Sequence, residues 1–169
     1  MYLTSYPSPI GHLTLSSDGR ALTGIWVDGQ RHYGWSLPQE NRHERDLEIF
    51  DQAIKWLDRY FAGQRPDPME VPLALGGTAF REAVWAILLQ IPYGQTVTYR
   101  DIALQLARAS GRNSSARAVG GAVGHNPVSI LVPCHRVIGS DGSLTGFASG
   151  LHTKIWLLEH EGYSCQGRL

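Results

Sequence analysis

The sequence predicts an α+β protein of two domains, and three observations lead there. The first half is a series of β-prone runs followed by one amphipathic helix. The second half has mostly helical spacing. Between them lies GQRPDPMEVPLALGG (63–77), too rich in proline and glycine for a regular element. The expected division is therefore 1–75 and 76–169.

In the first part, residues 2–6, 11–16 and 21–27 read as strands, and Asp18-Gly19 and Asp28-Gly29 supply turn chemistry for a small antiparallel sheet. From about 44 to 62, Leu47, Phe50, Ile54, Leu57 and Phe61 step by three and four, a helix that Gly63 can close. In the second part, Thr78 can cap a helix carrying Phe80, Val84, Ile87, Leu88 and Ile91, which must stop at Pro92. Thr98 and Asp101 have capping-box spacing and open a helix through Ile102, Leu106 and Ala107 that Gly111 ends. Ser115 can cap the next, with Ala116, Val119, Gly120 and Val123 as its buried face. Two helices joined by a short turn containing glycine form a helix-turn-helix pattern.

The outward face of that second helix is Arg117, Ala118, Gly121 and Ala122. Each glycine inside a helix costs roughly 1 kcal/mol relative to alanine. So smooth a face suits close approach by a nucleic-acid groove, or tight packing against another helix. Charge leaves both open, since a solvated arginine-bearing surface shows the same asymmetry. Residues 1–79 carry 7 basic and 10 acidic groups, while 80–169 carry 8 and 5, so the halves stand at −3 and +3. Between 100 and 136, Arg100, Arg108, Arg112, Arg117 and Arg136 face a single acid, Asp101. The N-terminus lacks the basic start and apolar core of an export signal, and no apolar run spans a bilayer. A cytoplasmic protein with reduced cysteines and no membrane partner is expected.

Chemistry is concentrated in ILVPCHRVIG (130–139). Pro133 interrupts an apolar run, and Cys134, His135 and Arg136 follow it, which a purely structural strand would not favour. Cys134 can be a buried inert thiol, a metal ligand or a nucleophile. Metal is the poorest of these, because Cys165 is distant and no histidine has zinc-site spacing with Cys134. His135 is a candidate base. Neighbouring side chains of a strand point to opposite faces, so the pair would need a kink or a bridging water. Glu161, in LEHEGY, is a candidate to orient the imidazole or else a surface glutamate.

The segment NPVSILVPCHRVIGSDGSLTGFASGLHTKIWLLEHEG resembles the active-site region of the O6-alkylguanine-DNA alkyltransferases. The likeness extends through GTAFREAVWAILLQIPYGQTVTYRDIA and ARAVGGAVGHNP. It implies a ribonuclease H-like N-terminal α/β domain and a winged helix-turn-helix C-terminal domain. It further implies irreversible transfer of an alkyl group from O6 of guanine, with O4-alkylthymine a further substrate to consider, onto Cys134, once per molecule and without a cofactor. By the same resemblance His135 is the base, acting through a water and oriented by Glu161. Tyr99 protonates the leaving guanine, and Asn126 is the hinge before an active-site strand. Main-chain groups at Cys134, Val137 and Ala148 hold the base, in a pocket that Phe147 and Ser149 also line. Double-stranded DNA is the implied partner, bound through its minor groove with the nucleotide flipped out. Arg117 fills the vacated space, and Ala118, Gly121 and Ala122 lie against the DNA. A monomer is expected, with cooperative binding on DNA left open.

Some positions depart from the family pattern. Phe147 stands where tyrosine is common. Ser149 replaces a frequent glycine and narrows the pocket. The zinc ligands of some relatives are absent, so folding is expected to need no metal, and Cys165 in its short polar tail is expected to be dispensable. Two other functions remain to be separated from alkyl transfer: a non-catalytic helix-turn-helix regulator and a cysteine hydrolase.

Overall fold

Strand alternation in the first half is resolved by burial. Tyr2–Ser8 (β1) fully buries only Thr4, whereas Leu13–Ser17 of Gly11–Ser17 (β2) and most of Leu22–Val27 (β3) form nearly continuous buried runs. In the computed structural model, which describes residues 1–144 and 146–167, these strands and the two-residue Arg42–His43 (β4) form one sheet in the order β3-β2-β1-β4. Pairing is antiparallel except between β1 and β4. Thr145, within the predicted pocket loop 144–150, and Arg168 and Leu169, at the end of the predicted second domain, lie outside the described residues.

Glu48–Phe61 (α1) covers the sheet with Ile49, Phe50, Ala53, Trp56, Leu57 and Tyr60. This face is rotated from the predicted one. Ile54 and Phe61 are only half-buried, because the large rings of Trp56 and Tyr60, stacked 5.5 Å apart, take the core positions. The helix also begins later than expected, with Leu47 as its N-cap. At its other end Gly63 adopts φ 83°, and Gln64 and Gly63 return their N–H groups to the carbonyls of Arg59 and Tyr60. The outer edge of β3 is covered rather than left open. Leu22 bridges Leu73, and Ile25 bridges Val128, donating to the Pro127 carbonyl at 2.8 Å and accepting from Ser129 at 3.1 Å.

The chain divides into two compact units, Met1–Gly76 with Pro127–Leu131, and Gly77–Asn126 with Val132–Leu169. Residues 127–131 group with the first unit, where the Pro127 carbonyl and the Ser129 N–H hydrogen-bond to Ile25 of β3.

In the second unit Ala79–Leu88 (α2), Tyr99–Ser110 (α3) and Ala116–Gly124 (α4) pack on one another. Trp85 replaces Phe80 as the main core group of α2. It is fully buried and donates its indole N–H to the Ala122 carbonyl at 2.9 Å, while Phe80 is exposed. The caps at Thr78, Thr98 and Ser115 form as predicted, and Thr98 and Asp101 make a complete capping box. On α4 the buried residues are Val119, Ala122 and Val123, while Ala116 is exposed. Ala122 therefore does not belong to the outward face, since α4 packs against both α2 and α3 and so buries a broader stripe than one partner would require. Val97–Thr98 (β5) pairs in parallel with Val137–Ile138 (β6), and Leu151–His160 (α5) packs on the turn at Cys134. Among the described residues no helix is long and apolar enough to cross a membrane.

Thr98→Ala removes an acceptor for an otherwise unpaired helix N–H and should lower unfolding free energy by about 1 kcal/mol. Urea unfolding of the intact chain, at unchanged m-value, measures it.

Candidate active site

The backbone before Cys134 is bent tightly. Pro133 has φ −81° and ψ 65°, and the Cys134 N–H returns to the Val132 carbonyl at 2.8 Å. Cys134–Arg136 then forms one turn of 3-10 helix rather than the predicted strand, because proline fixes the φ needed to enter such a turn. Successive side chains consequently diverge by about 120° instead of pointing to opposite faces, so His135 and Arg136 can reach one group. That group is Glu161.

Glu161 caps the C-terminus of α5. Gly162, at φ 86°, allows its own N–H and that of Tyr163 to return to the Glu159 and Leu158 carbonyls, both at 2.9 Å. A carboxylate at a helix C-terminus opposes the helix dipole and needs cations to hold it. Arg136 supplies a two-point contact, Nε to Oε2 at 2.8 Å and Nη2 to Oε1 at 2.9 Å, while its Nη1 donates to the Ile91 carbonyl at 2.6 Å. His135 Nε2 lies 2.6 Å from Oε1, and the Gly94 N–H lies 3.2 Å from Oε2. All three side chains are buried.

Protonation follows from these contacts. Burial opposes the Glu161 charge, but hydrogen bonds from His135 and Arg136, together with the Arg136 charge, outweigh it and hold the carboxyl well below its usual range. Burial depresses His135, with the Arg136 and Lys154 charges helping against the pull of Glu161. The imidazole is neutral. Its Nε2–H then donates to the carboxylate, and Nδ1, buried and without a hydrogen-bond partner among the described residues, keeps its lone pair. The Cys134 thiol is pushed up by burial, opposed by a hydrogen bond from Asn126, the Lys154 charge and nearby backbone N–H groups.

The other predicted residues fall into two groups. Asn126, Tyr99, Val137 and Phe147 gather with Cys134. The Asn126 amide donates to the Val132 carbonyl at 2.7 Å as well as serving the thiol. Tyr99 opens α3 directly after β5, beside β6, and burial followed by the Cys134 charge pushes its hydroxyl up to about 12. A Cβ at Gly146 would lie 3.2 Å from that hydroxyl. Phe147 faces Lys154 at 5.9 Å, and Ala148 and Ser149 sit half-buried in a turn closed by the Gly150 N–H on the Phe147 carbonyl. Arg117, Ala118 and Gly121 instead form the exposed side of α4.

Sequence reasoning missed Lys154 and the role of Arg136. Lys154 is fully buried and donates to the Val137 carbonyl, with Nζ 5.9 Å from the Tyr99 ring. Its signal was available, since it precedes Leu157 and Leu158 by three and four positions on one helix face. Cys165 also differs from expectation. It is buried with Ile138, Leu144 and Leu158, so this residue belongs to the core. Among the described residues no three His, Cys, Asp or Glu side chains are grouped as a metal would require.

A helix-turn-helix scaffold beside a buried cysteine, with a histidine held by a carboxylate, defines a class of DNA-modifying proteins that use a cysteine nucleophile. The chain belongs to the 6-O-methylguanine DNA methyltransferase family, whose ribonuclease-like domain matches residues 1–75 and whose DNA binding domain matches residues 79–163. It is 41% identical over 162 residues to the methylated-DNA–protein-cysteine methyltransferase of Haemophilus influenzae, covering 95% of this chain and 86% of that one. It is 45% identical over 154 residues to the protein of the same name from Mycobacterium tuberculosis H37Rv, covering 91% and 88%. The crystal structure of Mycobacterium tuberculosis OGT in complex with DNA superimposes with a TM-score of 0.82 at 42% identity, covering 95% of this chain and 92% of that one.

Burial lowers Lys154 from 10.5 to about 8, with the Cys134 and Cys165 charges opposing the shift. Between those values the unfolded chain binds more protons than the folded one, so this lysine makes stability rise with pH. Relative to Lys154→Met, the wild-type protein should gain about 3 kcal/mol from pH 8 to 10.5. Denaturant unfolding of both proteins across that range tests the sign.

Proposed function

We propose that this protein repairs DNA by moving the alkyl group of O6-alkylguanine irreversibly onto Cys134, one event per molecule. The observation that carries this reading is the buried chain Arg136–Glu161–His135, which leaves Nδ1 of a neutral imidazole as a base beside a cysteine. In this reading the Cys134 proton passes through a bridging water to His135 Nδ1. The thiolate attacks the alkyl carbon, a carbon–sulfur bond forms, and the carbon–O6 bond breaks with its electrons going to guanine. Tyr99, protonated at neutral pH, donates to ring N3 of the leaving base, and the proton on His135 restores the balance through solvent. The thioether product cannot be released by thiol exchange, hence one turnover. No cofactor takes part.

DNA would lie on the exposed side of α4. A Cβ at Gly121 would meet nothing within 4 Å, so packing inside the protein does not require that glycine, and close approach from outside does. With Ala118 beside it, this surface suits the minor groove, and Arg117 would fill the gap left by a flipped nucleotide. Main-chain groups of Cys134, Val137 and Ala148, with Phe147 and Ser149, would hold the extruded base. A non-catalytic regulator has no use for the buried Glu161 arrangement.

Intact-mass measurement after incubation with a duplex carrying O6-methylguanine should show one added methyl group, located on Cys134. Cys134→Ser should add none while binding the duplex within about twofold, because a serine hydroxyl barely ionises near neutrality. Release of methanol in repeated turnovers would indicate hydrolysis instead.

Arg117→Ala should slow repair of the duplex by about tenfold or more, and repair of the free modified base much less, since only the duplex pays for extrusion. Second-order rates on both substrates decide it. Equal slowing would place Arg117 in the chemistry or the fold.

A further inference from the structure

Ile130 has φ 75°, a left-handed conformation that is a strained outlier for a β-branched residue. The Leu131 N–H donates to the Ser129 carbonyl at 3.0 Å, so Ile130 is the centre of a γ-turn of the rare, strained hand. Three residues later Pro133 centres a second γ-turn, of the common hand, closed by the Cys134 N–H on the Val132 carbonyl. That same carbonyl accepts the Asn126 amide. From Ser129 to Cys134 the backbone therefore closes two three-residue turns in succession, and Ile130 and Val132 are buried between Ser129 and Pro133.

Glycine or asparagine would adopt this φ at little cost, yet the chain places a branched side chain there. Burial of that side chain locks the reversed backbone in one state, whereas glycine would leave both signs of φ open. Strain of this kind persists where the surroundings over-determine it, and it clusters at functional sites.

We propose that Ile130 is a positioning residue, whose locked left-handed γ-turn sets the direction of the segment that aims Cys134 at the alkyl carbon. This rests on Cys134 being the acceptor. The side chain acts through the backbone and touches no substrate. Its loss disturbs the register between Cys134 and the groups that favour its thiolate, namely the Asn126 amide, the backbone N–H groups of Cys134 and His135, and the Lys154 ammonium.

Ile130→Gly should slow methyl transfer from an O6-methylguanine duplex by about tenfold to a hundredfold, the scale of a misplaced nucleophile. It should also move the pH profile of Cys134 alkylation by iodoacetamide to higher pH, with duplex affinity unchanged. Ile130→Val keeps the β-branch, and should lose melting temperature while transferring at close to the wild-type rate. A folded glycine variant with wild-type rate and profile overturns the proposal, as does slowing of both variants in proportion to their lost stability. If the glycine variant does not fold, amide exchange in the wild-type protein decides. Leu131 and Cys134 amides protected like those of β3 support a locked turn, and exchange as fast as in exposed loops refutes it. A wild-type protein that acquires no methyl group on Cys134 would instead remove the acceptor assignment itself.

Discussion

The site depends on how the negative charge of Glu161 is held out of water. Burying a carboxylate is costly, and breaking a buried pair by deleting one partner typically costs about 3–5 kcal/mol. Here the partner is Arg136, which matches both carboxylate oxygens and has another donor satisfied by the Ile91 carbonyl. The consequence reaches beyond stability. With Arg136 neutralising the carboxylate, Glu161 does not need a proton on His135 to balance its charge. Without that guanidinium, the bare carboxylate would draw a proton onto the imidazole and remove the lone pair that a base requires. Burial keeps His135 neutral with the Arg136 charge helping, while Glu161 decides which nitrogen is free.

The thiol is governed by a closer contest. Burial favours Cys134 in its neutral form, and only the Asn126 amide, the Lys154 ammonium and the backbone N–H groups of the 3-10 turn act the other way. Lys154 is held off ordinary solvation by the faces of Tyr99 and Phe147, each 5.9 Å from Nζ, and by the Val137 carbonyl. A thiol raised in this way stays protonated until a base removes its proton.

What the sequence made legible was local. Turn residues and the caps at Thr78, Thr98 and Ser115 depend on neighbours a few positions away, and the caps formed where expected. The chemical run at Pro133–Arg136 was visible as a breach of strand pattern, although its 3-10 geometry was not, because a single proline can end a strand or bend it. Burial was harder to read. Ala122, Phe80 and Cys165 were misplaced, since their environments are set by helices and loops distant in sequence. The role of Arg136 was hidden for a related reason. A cation reads as surface until the carboxylate or carbonyl that receives it has been located.

Two kinds of order meet in the C-terminal unit. Around Cys134 the backbone is short, bent and fully committed: a 3-10 turn, a two-residue strand pair, and a helix end fixed by Gly162. On α4 the opposite holds, for Arg117, Ala118 and Gly121 are exposed, and Gly121 makes no demand on the packing. The two are joined through Asn126. It follows the C-cap of α4, and its side chain reaches the Val132 carbonyl and the thiol. The exposed side of α4 and the sulfur are therefore linked through the Asn126 amide as well as through the backbone. In the proposed reading, rigidity at the cysteine and smoothness on the helix are complementary requirements, because a soft connection would let the helix settle on DNA without bringing Cys134 with it.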